Sequence, residues 1–135
     1  LEPLWLVGRN EDAAELLPLA EQALELQAEW ISFDSRWVRT RVAIAAAAAE
    51  RYDEAEALFS EVLRRGEELP NPMERADVHR FLARMFLRRN SEGDGARAED
   101  LLRTSIEEYR ELGMERHSEL AEAELRGDPV GAAEP

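Results

Sequence analysis

The stretch that decides the fold is Arg51-Tyr52-Asp53-Glu54-Ala55-Glu56-Ala57-Leu58-Phe59, because it recurs along the chain. A shift of 42 residues places on it Arg9-Asn10-Glu11-Asp12-Ala13-Ala14-Glu15-Leu16-Leu17. Toward the end of the chain, a shift of 43 residues places Ala98, Leu101 and Leu102 on Ala55, Leu58 and Phe59. Each unit has a small residue followed by a large apolar pair three and four positions later. The small residue lets two helices approach closely, and the pair fills the groove beside it.

Outside this stretch, apolar residues recur every three or four positions, and no sustained strand-like alternation occurs. Asn71 is a candidate helix N-cap, Pro72 fits a first helical turn, and Gly113 lies where a helix end needs a positive φ. The pattern predicts an all-α chain of antiparallel helical hairpins. The predicted helices lie near residues 11–29, 35–50, 53–68, 73–90, 96–112 and 115–125.

A hairpin of about 40 residues cannot bury both faces alone, so the hairpins are expected to stack into a short α-solenoid. We expect Ala43, Ala55, Ala83 and Ala98 at close contacts between helices. The predicted organisation is one repeat domain, residues 1–126, and a flexible tail, residues 127–135. The domain comprises units of about 1–29, 35–68 and 73–112 and a capping helix, 115–125.

These residues resemble the tetratricopeptide repeat (TPR) pattern. One repeat has Leu82-Ala83, Phe86, Ala98 and Leu102; the better match has Ala43, Tyr52-Asp53-Glu54-Ala55, Phe59 and Val62. The segment Tyr109-Arg110-Glu111-Leu112-Gly113-Met114 looks like the repeat arrays of large bacterial regulators. Those are LuxR-type and maltose-regulator-like transcription activators, and nucleotide cyclases with ATPase and repeat domains. The resemblance implies a sensor or docking arm, with chemistry and DNA binding elsewhere.

The composition excludes several classes of function. The 135 residues include 30 acidic residues and 17 Arg but no Lys, a usage typical of GC-rich bacterial genes. The net charge of −13 opposes binding to nucleic acid and to anionic membranes. No stretch approaches the roughly 20 apolar residues of a membrane span, and a cytoplasmic protein is expected. Because the chain starts with Leu, we take it as part of a longer polypeptide.

Motifs for catalysis or cofactor binding are missing from the sequence. There is no Cys, no Gly-rich phosphate loop, no His-Glu-x-x-His and no Gly-x-Ser-x-Gly. His79 and His117 are expected at the surface or at an edge. The loop 90–95 has the early spacing of a calcium-binding EF-hand loop, but Leu101 replaces the twelfth ligand, so a polar turn is expected. We therefore predict no enzyme, no cofactor and no metal.

Charge is segregated between the helices. Residues 35–51 have four Arg against one acid, and residues 73–90 have five Arg against two, whereas the alternate helices are acidic. In TPR-like solenoids the first helices line the concave face, so the resemblance implies an Arg-rich groove. Its candidate residues are Trp37, Thr40, Ile44, Asp77, Arg80, Arg84 and Arg88. Arg80, Arg84 and Arg88 share one helical stripe. Alternatively, these Arg side chains pair with Glu on a neighbouring helix.

Two functions remain open. The first is a protein-interaction or sensor module of a larger bacterial signalling or transcription regulator. Its groove would bind an acidic peptide, a partner domain, another domain of the parent chain or an effector. The second is a structural spacer or oligomerisation scaffold without a groove ligand. The apolar start around Trp5, residues 1–7, is expected to pair with a second copy or to fold over the chain's own first helix.

Overall fold

The structure is a computed structural model that describes residues 2–25, 38–68 and 70–128. In these ranges it contains eight α-helices and no strand. The helices are α1 (Glu2–Leu6), α2 (Asn10–Glu15), α3 (Leu17–Glu25), α4 (Val38–Ala48), α5 (Tyr52–Arg65), α6 (Pro72–Arg89), α7 (Asp94–Glu111) and α8 (Glu115–Arg126). The all-α prediction is confirmed for this part of the chain. Stacking of the hairpins as a solenoid remains a prediction.

The chain divides into two compact units, residues 1–69 (unit 1) and residues 70–135 (unit 2). In unit 1, helices α1, α2, α3 and α5 all pack against α4. The run Val42–Ala48 in α4 is buried at every position. A helix that is apolar all round belongs in an interior, and its Ala side chains allow neighbouring helices to approach closely. The small residues Ala43 and Ala55 are fully buried, as expected for contacts between helices.

The prediction of one helix over 11–29 is wrong in its first half. Helix α2 ends at Glu15, and α3 begins at Leu17 with Pro18 in its first turn. Proline is tolerated there because the first turn needs no N–H donor, whereas inside a continuous helix it would break the hydrogen-bond ladder. Residues 26–29, and residues 35–37 of the next predicted helix, lie outside the described residues.

The apolar start of the chain forms α1, which packs on α2 and α4. Trp5 is only 1% exposed. Residues 2–6 thus fold over the chain's own helices, which is one of the two arrangements expected from the sequence. Pairing with a second copy remains a prediction.

Unit 2 is a three-helix arrangement in which α7 packs against both α6 and α8. Its interior is aromatic and aliphatic, and its largest members are Phe81, Met85, Phe86, Leu102 and Tyr109. The three helices match the predicted ranges to within two residues. Ala83 and Ala98 are fully buried here, as expected.

The predicted helix ends of unit 2 are confirmed. The Asn71 side chain accepts a hydrogen bond from the Glu74 N–H at 3.2 Å, and Pro72 is the first residue of α6. Gly113 has a φ of 70°. Its N–H donates to the Arg110 carbonyl, and the Met114 N–H donates to the Tyr109 carbonyl, which is the Schellman pattern. The part of the predicted tail beyond Asp128 lies outside the described residues.

No helix in the described ranges is both long enough and apolar enough to span a membrane.

Candidate binding site on α6

Four of the seven groove candidates lie on α6, in unit 2. They are Asp77, Arg80, Arg84 and Arg88, and we call them the α6 site. Thr40 and Ile44 lie on α4, in unit 1, and both are fully buried. Trp37 lies outside the described residues. The candidates that the structure brings onto one face are therefore those of α6 alone.

Arg80 is held by Glu124, which lies near the end of α8. The Arg80 Nε and Nη2 atoms donate to the Glu124 Oε1 atom at 2.9 and 2.6 Å. The Arg80 side chain is 8% exposed and that of Glu124 is 15% exposed. Burial lowers the pKa of Arg80, but the charge attraction and hydrogen bonds of Glu124, together with the interactions with Tyr109, act in the opposite direction, and the net pKa is raised. Arg80 thus pairs with Glu on another helix, as the spacer alternative expected.

Arg84 shares the same carboxylate at a longer distance. Its Nη1 atom lies 3.6 Å from the Glu124 Oε1 atom, and its side chain is 17% exposed. Burial lowers the pKa of Arg84, and the neighbouring Arg80 and Arg88 lower it further, while Glu124 acts in the opposite direction. Arg88 is exposed. The stripe therefore changes along α6 from a buried ion pair at Arg80 to an exposed guanidinium at Arg88.

Asp77 is linked to α7 through Tyr109, which is fully buried. The Tyr109 hydroxyl donates to the Asp77 Oδ1 atom at 2.5 Å. Burial raises the pKa of Tyr109, and the Asp77 carboxylate raises it further. Asp77 thus helps to hold α7 against α6.

A second polar cluster joins α6 to α7 nearer the start of α6. The His79 Nδ1 atom lies 2.7 Å from the Glu108 Oε2 atom, and the Arg75 Nε atom lies 2.9 Å from Oε1. The expectation that both histidines are at the surface or an edge is wrong for His79, which is 9% exposed. Burial is tolerated because Glu108 supplies a hydrogen-bond partner. His117 is half-buried against Tyr109, with ring centroids 5.3 Å apart.

The loop with calcium-like spacing is a polar turn, as expected. Its Asp94 carboxylate accepts from Arg89 Nε at 2.8 Å and from Arg89 Nη2 at 2.9 Å. It also accepts from the Ser91 N–H at 3.0 Å. These bonds, led by those from Arg89, lower the pKa of Asp94 to about 2. Arg97 stacks on the Phe86 ring at 4.1 Å from its centroid. Across the described ranges, no cluster of three or more His, Asp or Glu could hold a metal ion.

Glu124 is a partner of Arg80 that the sequence pattern does not predict. The two residues are 44 positions apart, and local spacing cannot join them. The available signal was the repeat period of about 40 residues, because stacked hairpins are expected to place one hairpin's first helix close to the next hairpin's first helix.

Comparison of the chain with protein-family models, with curated proteins and with solved structures finds no match. The TPR resemblance remains an expectation drawn from the residues that carry it.

Proposed function

We propose that this chain is a protein-interaction or sensor module of a larger bacterial signalling or transcription regulator, and that its α6 site binds an acidic segment. That segment belongs to a partner protein or to another domain of the parent chain. The observation that carries the proposal is that Arg84 lies against a carboxylate oxygen already bound twice by Arg80. Glu124 therefore contacts Arg84 at a longer distance than it contacts Arg80.

The arrangement of charge on α6 supports an anionic ligand. Arg80, Arg84 and Arg88 are spaced at i, i+4 and i+8, and like charges at this spacing repel. A carboxylate from outside would offset this repulsion and offer both oxygens to a planar guanidinium. The proposed module uses no catalytic group and no cofactor, and it acts in the cytoplasm. It binds neither nucleic acid nor membrane through this chain, because the overall charge is −13.

The experiment is a titration of the chain with a Glu-rich synthetic peptide and with its Gln-substituted counterpart. We expect the Glu-rich peptide to bind, more tightly at low salt than at physiological salt. Arg84→Ala should weaken binding by about 1–3 kcal/mol, the range for a hydrogen bond to a charged group.

The matched control is Arg103→Ala. Arg103 is an exposed residue of the same unit, paired with Glu99 one turn away on α7. Equal affinity of the unmodified chain and the Arg84→Ala and Arg103→Ala variants would contradict the proposal. So would equal affinity for the Glu and Gln peptides.

The second candidate function is a structural spacer without a groove ligand. It is favoured by the Arg80–Glu124 pair, which joins α6 to α8. In this pair the Arg80 guanidinium binds a carboxylate of the protein itself. This candidate expects Arg84→Ala to destabilise the protein while no acidic peptide binds.

A further inference from the structure

We infer that Glu124 is an internal acidic ligand of the α6 site: α8 occupies the site in the free protein, and an external acidic segment binds by displacing Glu124. This inference rests on the proposed function, since it takes the site to be one for acidic segments. It adds that the site is regulated by the chain's own last described helix.

The Glu124 contact has the chemistry expected of an external ligand. A carboxylate approaches the guanidinium groups of Arg80 and Arg84, at 2.6 and 2.9 Å from the first and 3.6 Å from the second. An external Glu or Asp would need these same donors. Glu124 and an acidic partner therefore compete for one set of hydrogen bonds.

The internal ligand satisfies the site incompletely. All three contacts use the Glu124 Oε1 atom, whereas the Oε2 atom is buried and has no hydrogen-bond partner in the described part of the chain. A buried acceptor without a donor costs free energy, and a guanidinium binds best when both carboxylate oxygens are engaged. An external carboxylate that uses both oxygens would replace an incompletely hydrogen-bonded arrangement with a complete one.

Helix α8 also buries smaller side chains than the other helices of unit 2. Its buried residues are Ser118, Ala121 and Ala123. Helices α6 and α7 instead bury large side chains, such as Phe81 and Phe86 of α6 and Leu102 of α7. Because apolar stabilisation scales with the area buried, we expect α8 to be the helix of unit 2 whose detachment costs least. The Arg80–Glu124 pair is thus a large part of what holds its end in place.

The test compares the full chain with its Glu124→Gln and Glu122→Gln variants. Gln keeps the shape of Glu but removes its charge, so the hold of residue 124 on Arg80 and Arg84 weakens and a competing carboxylate meets less opposition. We expect Glu124→Gln to bind the Glu-rich peptide at least about tenfold more tightly than the unmodified chain does. The reason is that the state in which residue 124 has left Arg80 and Arg84 is more populated in the variant. Glu122 is the control: it lies on the same helix and pairs with Arg110, away from the α6 site. Its variant should bind like the unmodified chain.

The outcomes separate the inference from the proposed function. If the peptide binds the unmodified chain and Glu124→Gln with equal affinity, the inference is overturned and the proposed function stands. If neither binds it, both are overturned.

A second measurement needs no variant. We expect the Glu-rich peptide to speed amide hydrogen exchange in α8 of the unmodified chain while exchange in the middle of α7 is unchanged. Slower exchange in α8 on addition of the peptide would show that the ligand adds to the Glu124 contact instead of displacing it, and would overturn the inference.

Discussion

At the scale of single residues, the turn between α6 and α7 depends on one carboxylate. Asp94 is 1% exposed, and both of its oxygens accept hydrogen bonds from Arg89. These bonds are stronger for the ionised carboxylate, and they lower its pKa to about 2 from an ordinary value of 3.8. A lowered pKa means that the folded state favours the ionised form, so this contribution to stability is complete above about pH 4. It is lost as the pH falls toward 2.

We therefore predict that Asp94→Asn destabilises the protein at pH 7 and that the difference from the unmodified chain disappears as the pH approaches 2. The measurement is the thermal unfolding midpoint of both proteins across this range. Asp100→Asn, at an exposed position of α7, serves as the control and should change little. A difference in midpoint that is the same at pH 7 and pH 2 would show that the ion pair with Arg89 is not its cause.

The structural roles of some single residues could be predicted from the sequence, and those of others could not. Asn71 and Gly113 were predicted because a cap and a positive φ depend on neighbouring residues only. Glu124 and Tyr109 were missed as partners of Arg80 and Asp77, because their pairing depends on how three helices pack. His79 was misjudged for the same reason: its partner Glu108 lies on another helix.

At the scale of helices, close packing of α4 and α5 requires small side chains. Ala55 is fully buried, whereas Ala57, two residues later on the same helix, is exposed. Ala55→Leu should overpack this contact and lower the free energy of unfolding by about 1–3 kcal/mol. Ala57→Leu adds the same atoms to the exposed side of α5 and should change the free energy of unfolding little. Chemical denaturation of the two variants measures the difference, and equal values would refute the repeat alignment at Ala55.

Helix positions were predicted best where apolar spacing and punctuation agree. The ranges of α6, α7 and α8 follow from Asn71-Pro72, from the polar turn before Asp94, and from Gly113. The break between α2 and α3 was missed because Leu16-Leu17-Pro18 continues the apolar spacing of the helix before it. Pro18 was the available signal, since proline begins helices more readily than it continues them.

At the scale of the whole molecule, the chain is acidic, but α6 has a cationic stripe. The net charge of −13 opposes binding of nucleic acid, yet it does not show whether the Arg side chains of the stripe pair with acidic residues of the chain or bind a ligand. The structure divides the stripe: Arg80 is buried with Glu124, and Arg84 lies at the edge of that pair. Sequence periodicity could place these residues on one face, but only tertiary packing distinguishes their roles.

The most direct test of these separate roles of Arg80 and Arg84 uses the variants Arg80→Ala and Arg84→Ala. For each variant, the free energy of unfolding and the affinity for the Glu-rich peptide are measured. Removing Arg80 takes both short hydrogen bonds from the Glu124 carboxylate and leaves it the longer contact with Arg84, so we expect a loss of about 3–5 kcal/mol of stability. Removing Arg84 should leave stability unchanged or slightly increased while peptide binding weakens. If Arg84→Ala is instead as destabilised as Arg80→Ala and binds the peptide as the unmodified chain does, Arg84 is a structural clamp and the α6 site is not a binding site.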